Sequence, residues 1–161
     1  AKYMELKPID KDVLENFIVI KFAESGKSMD KDAAKWIAEF SEGIPYYVQH
    51  MCHEVWYITE KEANKKIVEK ALEERILPSL FSGFQVIWNG IKSEEQKKLL
   101  IGIANAKQPQ IYSQNFIAKY ELKTPGHVGK AIKSLVRMGL IEGNKIWDIF
   151  FREWVKRNFY F

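Results

Sequence analysis

The order of helix caps and the single glycine turn between Ser93 and Asp148 constrain the fold more than any other feature of the chain. Ser93-Glu94-Glu95-Gln96 is a capping box, serine and glutamine answering each other's open backbone groups, and it opens a helix through Leu99, Leu100 and Ile103. A short helix follows around Ser113 to Tyr120, with Phe116, Ile117 and Tyr120 apolar. Thr124-Pro125 then supplies a cap and a proline at the first helical position. The helix it starts turns Val128, Ile132 and Leu135 inward and ends at Gly139. Leu140-Ile141-Glu142 and Lys145-Ile146-Trp147 flank Gly143-Asn144, the pattern of a two-strand hairpin with a tight turn. Asp148 caps a last helix through Trp154 and Val155.

Three helices followed by a hairpin is the order of a winged helix, with the third helix as recognition element and the hairpin as wing. The loop of about four residues between Tyr120 and Pro125 suits the turn of a helix-turn-helix. An aromatic helix carrying Phe81, Phe84 and Trp88 up to Gly90 leads into this domain. Upstream, Tyr3 to Ile9 is extended in character and contains a proline. Asp10 caps a first helix with Val13, Phe17 and Ile20 on one face, and Gly26 ends it. Asp30 caps a second with Ala33, Ile37 and Phe40. After the break Ser41-Glu42-Gly43-Ile44-Pro45, a third helix carries Val48, Cys52 and Val55 to about Thr59. A fourth runs from about Lys66 to Leu77 and stops at Pro78. The expected fold is mostly α: a four-helix bundle over residues 1–78, then a winged helix-turn-helix with a short β-hairpin over 79–161.

Composition excludes several classes of function. Hydrophobic residues make up 47%, charged residues 29% and aromatics 14%, a soluble globular balance with a well-supplied core. No segment approaches the ~18 consecutive apolar residues of a membrane span, and the first residues hold no apolar signal region. The lone cysteine, Cys52, falls in a helical pattern and reads as a small core hydrophobe, so no intrachain disulfide forms and a reduced, cytoplasmic compartment is expected. His50 and His53 are three apart on one helix but lack a carboxylate-rich partner, and no metal is expected. No nucleophile–base pair or carboxylate pair emerges, so the chain is not expected to be an enzyme by itself. The net charge of +4 permits contact with nucleic acid without demanding it.

Four segments resemble a known family, the archaeal and bacterial ATPases of the AAA+/STAND group, relatives of the origin-recognition ATPases. Tyr3-Met4-Glu5-Leu6-Lys7-Pro8-Ile9 looks like the exit from the ATPase sheet into a helical lid. Ser41-Glu42-Gly43-Ile44-Pro45-Tyr46-Tyr47-Val48-Gln49 looks like the lid's G-x-P segment. Arg137-Met138-Gly139-Leu140-Ile141 looks like the end of the recognition helix, and Asp148 to Trp154 is similar to the closing segment, with Ile149 where the family has proline. The resemblance implies a lid-like bundle at 1–78. It also implies that this chain is the non-catalytic C-terminal part of a longer protein whose N-terminal P-loop domain binds ATP and magnesium. The chain itself holds no G-x-x-x-x-G-K-[ST] loop to cradle phosphates and no strand ending in a magnesium-binding aspartate, so it carries no cofactor alone.

Two candidate sites follow. The resemblance puts Gly43 and Pro45 against a nucleotide's base, with Ile44 and Tyr46 as neighbours, and only in the presence of the ATPase domain. Arg75, the one arginine of the first half, lies too far along to be assigned as a γ-phosphate sensor. On the recognition helix, Lys130, Lys133 and Arg137 face away from Val128, Ile132 and Leu135. Thr124, Gly126 and His127 lie at its exposed start, with Lys119 and Lys123 just before it. These cations suit phosphates. No Asn or Gln, and no Arg before Arg137, stands where base edges are normally read. A plain solvated face, a self-contained DNA-binding transcriptional regulator and a protein-interaction module remain open beside the lid-and-winged-helix reading. The first reading requires a P-loop encoded upstream of Ala1, and the regulator reading requires a start at or beside it. The aromatic end, Trp147 to Phe161, is expected to pack rather than to stack on bases.

Overall fold

The computed structural model describes residues 7–159, and the chain divides into two compact units, Ala1–Ser79 and Leu80–Phe161. Tyr3 to Leu6 of the expected extended segment, and Tyr160 and Phe161 of the aromatic end, lie outside the described residues.

In the first unit, helix α1 (Lys11–Glu24) starts where the Asp10 carboxylate accepts the amides of Asp12 and Val13. It ends in a Schellman motif: Gly26 is left-handed at φ +82°, and the Lys27 amide reaches back to the Phe22 carbonyl. Strand β1 (Ser28–Met29) pairs in parallel with β2 (Glu62–Ala63), a two-residue tie with no sequence signal. Helix α2 (Lys31–Phe40) is capped by Asp30, and α3 (Pro45–Ile58) begins at its proline. Helix α4 (Lys65–Ala71) is capped by Asn64. Lys27 closes the far end of α3: its ammonium donates to the carbonyls of Trp56 and Thr59 at 2.7 and 2.6 Å and lies 4.0 Å from the Trp56 ring centroid.

Two expectations for this unit are corrected. α1 buries Leu14, Ile18 and Phe22, while Val13, Phe17 and Ile20 are 61%, 52% and 54% exposed. Both sets are apolar at helical spacing, so periodicity alone could not choose between them. The buried set packs in the core of the unit, where α1 lies against α2, whose Ala33, Ala34 and Ala38 are buried as well. The second correction concerns Pro78. The chain does not stop there: α4 widens into a π-helical turn, Leu72–Ile76, in which the Leu77 amide bonds five residues back to Leu72. Helix α5 (Leu77–Gly90) then carries Pro78 in its first turn, where a missing donor costs nothing.

The second unit follows its sequence pattern closely. Helix α6 (Glu94–Asn105) is capped by Ser93, α7 (Gln114–Lys119) by Ser113 and α8 (Pro125–Arg137) by Thr124. Strands β3 (Ile141–Glu142) and β4 (Lys145–Ile146) are antiparallel, Ile141 opposite Ile146, around Gly143 and Asn144 at φ +54° and +61°. Positive φ at both positions is the type I′ hairpin turn. Helix α9 (Ile149–Asn158) is capped by Asp148, whose carboxylate accepts the amides of Phe150 and Phe151. The core joins Leu99, Leu100, Val128, Leu135 and Ile146 to an aromatic group in which Phe84, Phe151 and Trp154 meet at 5.3–6.0 Å. Gly102 is where α6 meets α7, since a Cβ there would lie 2.6 Å from Phe116 Cζ and 2.9 Å from Tyr120 Cδ2. Phe150, Phe151 and Trp154 are buried as expected of packing residues, whereas Trp147 is 54% exposed.

Candidate functional site

α8 is amphipathic by the spacing of its residues. Val128, Ala131 and Leu135 are buried, and Lys130, Lys133 and Arg137, at positions i, i+3 and i+7, are exposed on the opposite face. Its start is rigid, because Thr124 Oγ1 accepts the His127 amide at 3.3 Å and meets His127 Nδ1 at 2.8 Å. Thr124, Gly126 and His127 are all exposed there. Lys119 is exposed beside the Tyr120 ring, and Lys123 is exposed while its amide donates to Glu95 at 2.8 Å. Among the described residues, none of these five cations is engaged in an ion pair. The neighbouring Glu121 carboxylate is already held by Lys98 at 3.1 Å. The wing adds little net charge, Glu142 standing opposite Lys145 across the hairpin. Trp147 is fixed at its base, the indole N–H donating to the Gly139 carbonyl. A row of uncommitted cations on one rigid helix face can bind closely spaced anions, above all the phosphates of a nucleic acid backbone.

In the first unit, the candidate residues Gly43, Pro45 and Tyr46 divide into different roles. Gly43 is buried at φ +75°, its carbonyl accepts the Ile9 amide at 3.0 Å, and a side chain would collide with the Ile9 carbonyl. Only glycine satisfies both demands. Pro45 starts α3 and forms part of the wall of an open groove of about 310 Å³ lined by Ile9, Val13, Leu14, Phe17, Pro45, Val48 and Gln49. Tyr46 is exposed and turns its ring edge-on to Tyr47 and His50 instead of lining the groove. The groove is almost wholly apolar and takes its outer wall from Val13 and Phe17, which share the exposed apolar face of α1.

A third constellation has no counterpart in any local sequence pattern. Arg75, on the π-helical turn, donates to Glu54 at 2.5 Å and lies 4.3 Å from the Tyr57 ring centroid. That hydrogen bond holds the Glu54 carboxyl below its ordinary range, against the opposing effect of burial. Twenty-one positions separate the pair, so no local spacing could reveal it. The arginine left unassigned in sequence is therefore committed to a structural partner. Burial pushes the Cys52 thiol up to about 12, which leaves it protonated and unreactive at neutral pH. Among the described residues, no three His, Cys, Asp or Glu side chains converge on a metal site, and no helix is long and apolar enough to cross a membrane.

Residues 82–157 match the family described as a probable winged helix domain. The second unit is thus a winged helix, a fold that serves as a contact module for DNA or protein. No curated protein and no solved structure matches the chain.

Proposed function

We propose that the chain is the non-catalytic lid and winged-helix portion of an ATP-binding AAA+/STAND ATPase. In this reading the first unit covers the base of a nucleotide held by a P-loop domain N-terminal to it, and the winged helix touches DNA through its phosphates. The observation that carries the lid is the groove beside Pro45. Gly43, locked against Ile9, fixes the start of α3, and Pro45, Val13, Phe17 and Val48 give an apolar wall of the kind a flat heterocycle covers. Being open on one side, the groove buries too little ligand surface to retain a nucleotide alone. The protein produced from the whole reading frame tests this. A P-loop upstream of Ala1 and an adenine-nucleotide affinity weakened by Pro45→Ala and by Phe17→Ala support the reading; a frame without such a loop overturns it.

For the winged helix, the five uncommitted cations of Lys119, Lys123, Lys130, Lys133 and Arg137 favour DNA. Their chemistry is sequence-blind, because phosphate contacts position a protein without reading bases. A protein partner is the second reading. It is favoured by an apolar groove of about 410 Å³ near the wing, to which Ile87, Met138, Leu140 and Trp147 contribute. Loss of binding to a generic duplex in the triple variant Lys130→Ala, Lys133→Ala, Arg137→Ala separates the two readings, since a protein-only surface gives no duplex binding to lose.

A further inference from the structure

The exposed face of α8 offers cations but no base-reading amide, whereas the segment leading from α6 to α7 offers both amides and an aromatic ring. Gln110 and Tyr112 lie along it and Gln114 opens α7, all three exposed. Tyr112 is held from both sides in sequence. Ile111 is buried in the core, and Ser113 donates its amide to Gln110 while its hydroxyl caps α7 through the Phe116 amide at 3.2 Å. Held there, the Tyr112 ring reaches the recognition helix at Gly129, where a Cβ would lie 4.0 Å from Tyr112 Cε1. Gly129 directly precedes Lys130 and stands one helical turn before Lys133. The ring is nevertheless 51% exposed.

An aromatic anchored through its chain neighbours, beside a row of exposed cations, combines the two elements with which proteins grip unpaired nucleic acid: charge for the phosphates and a π-face for the base. In an intact duplex both faces of every interior base are covered by neighbours, so a ring at this edge has nothing to stack on except an unpaired base. We infer that Tyr112 is a stacking platform for an unpaired base, and that the winged helix therefore takes the junction between duplex and single-stranded nucleic acid, with Lys130 and Lys133 on the adjoining phosphates. The inference rests on the DNA reading above and names its substrate class.

The test is fluorescence anisotropy of the full chain with a blunt duplex and with the same duplex carrying a short single-stranded overhang, at low salt. The overhang should strengthen binding by about fivefold to a hundredfold, the range of one base–aromatic stack. Tyr112→Phe should keep that advantage, because it keeps the ring. Tyr112→Leu, which retains apolar bulk against Gly129, and Tyr112→Ala should both lose it while binding the blunt duplex as before. An equal affinity for the two ligands, or an advantage that survives in Tyr112→Leu and Tyr112→Ala, overturns the inference. If the Lys130/Lys133/Arg137 triple variant still abolishes blunt-duplex binding in that case, the backbone reading stands without it. Absence of binding to either ligand overturns both.

Discussion

Replacing Lys130, Lys133 and Arg137 together by alanine gives a prediction whose size follows from the exposed face of α8. Each phosphate neutralised by a cation releases counterions and adds about 0.9 to the slope of log affinity against log salt. With Lys119 and Lys123 included, five uncommitted cations give a slope of about −4.5. Raising the salt from about 50 to about 200 mM, a change of about 0.6 in the logarithm, should then weaken duplex binding by about 500-fold. The triple variant retains two cations, a slope of about −1.8, and should weaken only about twelvefold over the same range. Anisotropy titrations at four or five salt concentrations measure both slopes. The three side chains are exposed and make no ion pair among the described residues, so their loss should leave the melting temperature nearly unchanged. An unchanged slope in the variant would show that α8 does not face phosphate. No binding at the lowest salt would remove DNA from the account altogether.

Three further outcomes are expected. Gly43→Ala puts a side chain at φ +75° and against the Ile9 carbonyl, so urea unfolding followed through Trp36 and Trp56 should show a loss of about 2–4 kcal/mol; a change below about 0.5 kcal/mol would mean that the Ile9 contact yields freely. Gly102→Ala gains helix propensity of up to about 1 kcal/mol but forces a methyl to within 2.6 Å of Phe116 Cζ, so a net destabilisation of about 1–2 kcal/mol is expected in thermal unfolding, and stabilisation would contradict the close α6–α7 approach. Glu54→Gln should cost about 1 kcal/mol at neutral pH, discounted because Arg75 is partly exposed. Since Glu54's folded pKa is depressed by Arg75, its contribution is complete above the ordinary carboxylate range near 4.3 and is lost as the pH falls through the lower folded value. The wild-type advantage over Glu54→Gln should therefore shrink below about pH 4, and an advantage unchanged down to pH 2 would contradict the pairing.

The winged helix was legible because its signals are local. Ser93, Thr124 and Asp148 each cap the helix they were expected to cap, and Gly143-Asn144 makes the turn its composition demands. The exposed lysine face of α8 followed from period alone. What stayed hidden depends on partners distant in sequence. α1 is apolar on two faces, so only its packing against α2 decides that Leu14, Ile18 and Phe22 go inside. Pro78 has the chemistry of a stop, and only the π-helical turn before it allows the chain to resume as helix. The Glu54–Arg75 pair, the β1–β2 tie and the approach of Tyr112 to Gly129 join residues between 17 and 34 positions apart, beyond any motif's reach. The groove beside Pro45 was half visible: its glycine and proline stood out in sequence, but its outer wall comes from Val13 and Phe17, on one of two α1 faces that periodicity cannot tell apart.

The most direct test of the proposed lid is photoaffinity labelling of the protein from the whole reading frame with an azido-adenine nucleotide, followed by mapping of the modified peptide. The account predicts label within residues 9–17 or 45–49, the two walls of the groove, suppressed by unlabelled ATP. Saturable label confined to peptides outside both segments would contradict it.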